Sequence, residues 1–209
     1  INLIQKKKNV IVFGDIVIDK YIEISSNRIS SDTIIPIMKQ KKKYSFLGCA
    51  GNVCKIINEF NCNVFLFSLI GKNNKTIFEL CEEENINIDY SIITEKFNQI
   101  KKRYINNNQQ YFRLDNCDNY DYKKINKEII NNFLNCISQN KIDLLVISDY
   151  QLGFCDNLKE IIKIAKTNNI KIIIDPHGYN LKLYEGCDIL KPNFKEIQQL
   201  TGISISNKS

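Results

Sequence analysis

The 209 residues suit one ordinary domain or most of one larger α/β domain, and a 44% apolar content can fill a sizeable core. The net charge of +6 invites a nucleic-acid reading, but Lys6-Lys7-Lys8 and Lys41-Lys42-Lys43 carry none of the interleaved aromatics that a base-stacking surface uses, so a solvated face is the better account. No stretch approaches the ~20 apolar residues of a membrane span. Ile1 to Asn9 holds neither a Met start nor a long apolar run; it is read as neither signal peptide nor anchor, and the chain is expected to begin inside a longer product.

In chain order, apolar runs alternate with helical patterns. Val10–Gly14 is short, β-branched and almost continuously apolar, as a parallel strand covered on both faces should be, and Val64–Ile70, Leu144–Ser148 and Ile170–Ile174 repeat that signature. Between them, Val53, Ile56, Ile57 and Phe60 fall at helical spacing. So do Ile125, Ile129, Ile130, Phe133, Leu134 and Ile137, and later Leu158, Ile161, Ile162 and Ala165. The alternation predicts a doubly wound α/β fold with a mostly parallel sheet. Two segments break it: about 21–46 and 100–114 read as extended strands with polar turns, the second pivoting on Asn106-Asn107-Asn108. They predict a small β-sheet projecting from the body as a lid.

Eight cysteines and a single histidine, His177, form no CxxC or Cys/His cluster. Cys62, Cys81 and Cys136 sit in strand or helix patterns as small buried hydrophobes, and a reducing cytosol fits best.

Chemistry-bearing residues collect at strand ends. Gly14, Asp15 and Asp19 follow the first strand, at the edge where open α/β sheets bind ligands. A carboxylate there can accept protons from two vicinal sugar hydroxyls. Leu47-Gly48-Cys49-Ala50-Gly51-Asn52 precedes the first helix, with small residues that admit a close ligand and an amide that both donates and accepts. Three arginines stand against 26 lysines: Arg28, Arg103 and Arg113, all in the lid segments. In so lysine-rich a chain, a retained guanidinium points to bidentate carboxylate or phosphate recognition, with a lid-to-lid salt bridge as the alternative. Ser148-Asp149-Tyr150-Gln151-Leu152-Gly153, Asp175-Pro176-His177-Gly178 and Lys191-Pro192-Asn193-Phe194-Lys195-Glu196 follow later strands, and Pro192-Asn193 would also make a good helix start on structural grounds alone.

These motifs, in this order from about Val10 to Gly202, resemble the ribokinase-like (PfkB) carbohydrate kinases. Within them Gly14-Asp15-Ile16-Val17-Ile18-Asp19, Asn27-Arg28-Ile29-Ser30, Arg113-Leu114-Asp115 and Ser148-Asp149-Tyr150 are most similar to D-glycero-β-D-manno-heptose 7-phosphate kinases, the kinase domain of bifunctional heptose kinase/ADP-heptose synthases. The resemblance implies transfer of the γ-phosphoryl of MgATP to the anomeric hydroxyl of a sugar phosphate, in a cytoplasmic enzyme that pairs into a homodimer through its β-lid, with neither nucleic acid nor membrane as partner. It implies sugar contacts from Asp15, Asp19, Gly48, Asn52, Arg103, Arg113 and Asp149. Asp175, Asn193 and Glu196 would serve the nucleotide, with Glu196 ordering Mg²⁺.

Residues 1–209 then read as the N-terminal portion of one kinase domain. The family's catalytic aspartate, in a Gly-Ala-Gly-Asp turn, is absent here and expected downstream of Ser209. Three departures stand out: Cys49 where the family has a second glycine, and Leu152 and His177 where it has lysines. They motivate an alternative, a degenerate sugar-phosphate-binding or scaffold protein; a kinase of the same family with another sugar is the other alternative.

Overall fold

The structure, a computed structural model, describes residues 7–178 and 180–204. Its elements are β1 (Asn9–Gly14), β2 (Ile16–Ser25), β3 (Lys39–Cys49), α1 (Ala50–Glu59), β4 (Asn63–Phe67), β5 (Leu69–Gly71), α2 (Lys75–Glu83), β6 (Ile92–Thr94), β7 (Gln99–Asn106), β8 (Gln109–Cys117), α3 (Asn126–Gln139), β9 (Leu144–Ser148), α4 (Leu158–Thr167), β10 (Lys171–Asp175), β11 (Ile189–Leu190) and α5 (Phe194–Thr201).

Five strands form a parallel sheet in the order β11-β10-β9-β1-β4. Because side chains alternate across a strand, β1 feeds two cores. Val10 and Val12 pack with Ala50 and Cys54 of α1 and Ile77 and Cys81 of α2. Ile11 and Phe13 pack with Ile129 and Phe133 of α3 and Leu158, Ile161 and Ala165 of α4. This is the doubly wound arrangement that the apolar runs predict. Gly14 ends β1 in close contact with its neighbour: a Cβ there would stand 2.1 Å from the Ser148 carbonyl oxygen, so no side chain fits. Among the described residues, no helix is long and apolar enough to cross a membrane.

The second sheet has four strands in the order β3-β2-β7-β8, with β2 parallel to β7 and the other pairs antiparallel. The β7–β8 hairpin turns at Asn107 and Asn108, both at positive φ (48° and 63°), a conformation asparagine tolerates better than most residues. The strands start nearer the body than the sequence pattern suggests. Ile16, Val17 and Ile18 are at most 2% exposed, so β2 begins inside the core before it projects.

The run from Val64 to Ile70 is also not one strand. It breaks at Ser68, whose hydroxyl accepts the Ile16 N–H (3.0 Å) and whose own N–H donates to Ser91 Oγ (3.3 Å); beyond it β5 pairs with β6 instead. Of the three cysteines expected to be buried, Cys81 and Cys136 are, while Cys62 is half-exposed; all eight are free thiols.

The two bodies join where β3 runs into α1. There Cys49 holds φ 53° and ψ −126°, a backbone conformation that glycine adopts freely and a Cβ resists. Replacement by glycine and by alanine separates strain from lost thiol packing, since both remove the sulfur. At an ordinary site the glycine variant is the less stable by roughly 0.5–1 kcal/mol. Here Cys49→Gly is expected to exceed Cys49→Ala by about 1–2 kcal/mol in chemical denaturation; equal stabilities would show the junction to be unstrained.

Candidate active site

A cleft of about 400 Å³ lies between the second sheet and the body, lined among others by Asp19, Tyr21, Phe46, Gly48, Cys49, Asn52, Lys55 and Tyr150. Its lower wall is the β3–α1 junction. Gly48 lies opposite Val17 in the β2–β3 register, and Asn52 is exposed in the first turn of α1. Asp19 and Tyr21, two apart on β2, present the same face of the sheet.

Asp19 is held from one side only. Arg103, on β7, donates from Nε (3.1 Å) and Nη2 (2.8 Å), both to Oδ1. The two side chains are about one-fifth exposed, so this pair is less screened than a surface bridge. The guanidinium also lies 5.8 Å from the centre of the Tyr21 ring. The other oxygen, Oδ2, faces Gly48, where an added Cβ would come within 2.4 Å of it. Gly48 therefore clears the space in which the carboxylate sits.

Arg113 lies directly opposite Arg103 on the edge strand β8, and its own charge is met by Asp115 (Nε to Oδ1, 2.8 Å). Like charges face to face across strands repel; a carboxylate bound to each guanidinium relieves that. Arg28 is exposed in the segment between β2 and β3.

Two of the sequence-selected acids lie beneath the cleft. Asp15, 3% exposed, accepts the Leu152 N–H at Oδ2 (3.2 Å) and the Phe154 N–H at Oδ1 (3.3 Å). Asp149, 4% exposed, accepts the Gln151 N–H (2.9 Å) and the Tyr184 hydroxyl (2.7 Å). Both carboxylates are spent on positioning the turn after β9. With Cys155 they are the group among the described residues whose ligand atoms lie close enough, within 4.8 Å, to hold a metal ion. The set does not fit one: all four carboxylate oxygens already accept hydrogen bonds, and burial holds the Cys155 thiol protonated.

At the neighbouring sheet edge, Asp175 pairs with Lys191 (2.9 Å). Asn193 caps α5, accepting the N–H groups of Lys195 (2.9 Å) and Glu196 (3.0 Å), while Glu196 Oε2 accepts the Asn193 N–H (2.6 Å). The Asn-x-x-Glu motif is thus a capping box. The remaining Glu196 oxygen, Oε1, lies 3.3 Å from His177 Nδ1, and the carboxylate is only 8% exposed. His177 stacks on Tyr150, with ring centres 4.2 Å apart.

Asp19, Gly48 and Asn52 thus line one cleft with Arg103 behind Asp19, whereas Asp15 and Asp149 support it and Arg113 stands at its outer edge. Tyr21, Phe46, Lys55 and Lys101 were given no role from the sequence, and Tyr150 stood inside a quoted motif without one. The i, i+2 spacing of Tyr21 from Asp19 and the i+3 spacing of Lys55 from Asn52 were the signals available for two of them.

The sequence signature of the pfkB family carbohydrate kinases matches residues 7–209. The chain belongs to that family. The Bifunctional protein HldE of Aliarcobacter butzleri is 33% identical over 99% of this chain, and that of Blochmanniella floridana is 33% identical over 94%. The chain spans only 44% and 41% of their respective lengths. Among solved structures, phosphofructokinase-2 from Escherichia coli in complex with fructose-6-phosphate superposes with a TM-score of 0.73 at 15% identity, covering 97% of this chain and 66% of that one. Arabidopsis thaliana ribokinase complexed with ribose and ATP gives 0.64 at 17% identity, covering 95% and 64%. These two likenesses speak to the fold alone.

Burial raises the Asp15 carboxyl from 3.8 to about 6 against the pull of its backbone donors, with Asp149 adding to the rise. The neutral acid is favoured in the fold, so its contribution to stability is full below 3.8 and is lost as pH rises through about 6. Between pH 4 and 7, the stability of the wild type relative to Asp15→Asn should therefore fall by about 2 kcal/mol. Parallel pH profiles in chemical denaturation would show that Asp15 titrates at its ordinary value.

Proposed function

We propose that the protein is the sugar-binding part of an ATP-dependent kinase that phosphorylates the anomeric hydroxyl of a sugar phosphate, D-glycero-β-D-manno-heptose 7-phosphate above other sugars. Membership of the family and the two HldE relatives support the substrate class. The observation that carries the reading is Asp19: one oxygen anchored by Arg103, the other free of side-chain obstruction because residue 48 is glycine. A carboxylate fixed in this way orients vicinal hydroxyls by charge-assisted hydrogen bonds, and Asn52 across the cleft can supply a further donor and acceptor. A cleft of about 400 Å³ suits a ligand of this size.

In such transfers the protein contributes positioning and charge neutralisation, and the nucleotide with its metal supplies the phosphoryl group. Asp175, Asn193 and Glu196 belong to the edge assigned to ATP. As they stand, Lys191 holds Asp175, Glu196 Oε2 accepts the Asn193 N–H, and Glu196 Oε1 faces His177 Nδ1 at 3.3 Å with no hydrogen bond between them. Glu196 thus keeps Oε1 free of hydrogen bonds, and it is the oxygen that would hold Mg²⁺ or a water of its shell. Asn193 and Glu196 also fix the start of α5 beside the cleft.

In the enzyme that carries the natural continuation beyond Ser209, Asp19→Ala should lower kcat/KM for heptose 7-phosphate by about 100-fold or more, since it removes two charge-assisted contacts at roughly 1.5–3 kcal/mol each. An unchanged rate would place the sugar elsewhere. A homodimer through the lid is part of the same reading, supported by the exposed edge strand β8 with Phe112 and Leu114 half-exposed on one face. Light scattering should show a dimer that Phe112→Lys dissociates; a monomeric wild type would remove this element.

A further inference from the structure

We propose that Lys101, rather than either lid arginine, recognises the anionic group of the substrate, a phosphomonoester, and so sets the preference for phosphorylated over neutral sugars. This rests on the reading of the cleft as a sugar-phosphate site.

Lys101 lies on β7 in register with two carboxylates, Asp19 on β2 and Asp115 on β8. Either could neutralise it, yet both turn away. Asp19 is bound by Arg103 and Asp115 by Arg113, one row further along the sheet. Among the described residues no carboxylate lies within 4.0 Å of the Lys101 ammonium. What it meets instead is weak: Cys49 Sγ at 3.9 Å, and the face of the Tyr150 ring, 5.5 Å from its centre. The thiol offers no charge, because burial pushes it up to about 12. A half-buried ammonium with three donors and such partners is under-satisfied, and an anion brought to it is correspondingly favoured.

Position gives this vacancy in charge its meaning. Cys49 and Tyr150 both line the cleft, so the ammonium lies beside two of its lining residues, on the same face of the sheet as Asp19. The other cations nearby are spent: Arg103 on Asp19, and Lys55 on Glu84. Beside one another the cleft therefore offers Asp19, with an oxygen to spare for hydroxyls, and a cation without a carboxylate. A neutral sugar would use the first and leave the second; a sugar phosphate uses both.

The test is calorimetric binding of heptose 7-phosphate and of the unphosphorylated heptose to the full chain, in the wild type, Lys101→Met and Lys101→Arg. Loss of one charged contact predicts that Lys101→Met weakens the phosphate by about tenfold or more and leaves the neutral sugar unchanged, while Lys101→Arg keeps most of the preference. Equal losses for both ligands, or no loss for either, would overturn the assignment while leaving the sugar-phosphate reading intact. Should the wild type bind neither sugar, that reading falls, and thermal stabilisation by inorganic pyrophosphate decides Lys101 alone. Stabilisation present in the wild type and absent in Lys101→Met supports it, and stabilisation that is absent from both or equal in both overturns it. If the Met variant fails to fold, Lys101→Gln takes its place in each comparison.

Discussion

Residue 15 is where three parts of the molecule are fastened together. Its carboxylate accepts backbone N–H groups from Leu152 and Phe154, and its carbonyl oxygen accepts the N–H of Ala50, the first residue of α1. One residue thereby fixes the exit of β1, the turn after β9 and the start of the helix that carries Asn52. The carboxyl is raised to about 6, so at neutral pH the fold holds it ionised against its burial. The arrangement persists because two N–H donors would otherwise be left unpaired in the interior, itself a costly state. Tyr150, which floors the cleft, stands between Asp149 and the turn that Asp15 holds.

Above this anchor, the second sheet builds its cleft face from charge pairing. Two arginines face one another across β7 and β8, and each takes a carboxylate from the adjacent row. The pattern has a consequence for ligands: it consumes Arg103 and Arg113 structurally and leaves Asp19 with one oxygen to offer. The bidentate chemistry that makes a guanidinium attractive for phosphate is the same chemistry that locks it to a carboxylate. Geometry, rather than residue type, decides which use prevails.

The capping box at Asn193 and Glu196 carries a similar lesson. A motif that marks nucleotide chemistry in the family satisfies, in this structure, the orphan N–H groups at the start of α5, and Gly202 closes the same helix in the left-handed conformation (φ 68°). A structural role of this kind can coexist with a functional one, because a capped helix start is also a rigid one. Cys49 shows the reverse: a residue type unsuited to its backbone conformation, retained at the joint between the two sheets.

The alternation of apolar runs and helical spacings in the sequence determined the two-faced parallel sheet, because Ile11 and Phe13 must point opposite to Val10 and Val12 whatever follows. The Asn107-Asn108 turn and the grouping of Asp19, Gly48 and Asn52 around one strand end were legible for the same reason: each depends on neighbours or on the shared edge of the sheet. Only the tertiary structure decided that the 64–70 run breaks at Ser68, that Asp15 and Asp149 face inward, and that Asp19 belongs to Arg103 and not to Lys101. These outcomes turn on partners 84 to 139 residues away for Asp19 and Asp15, and on Tyr184, 35 residues away, for Asp149. A carboxylate's partner is set by register and by competition among nearby cations, and neither is written in local pattern.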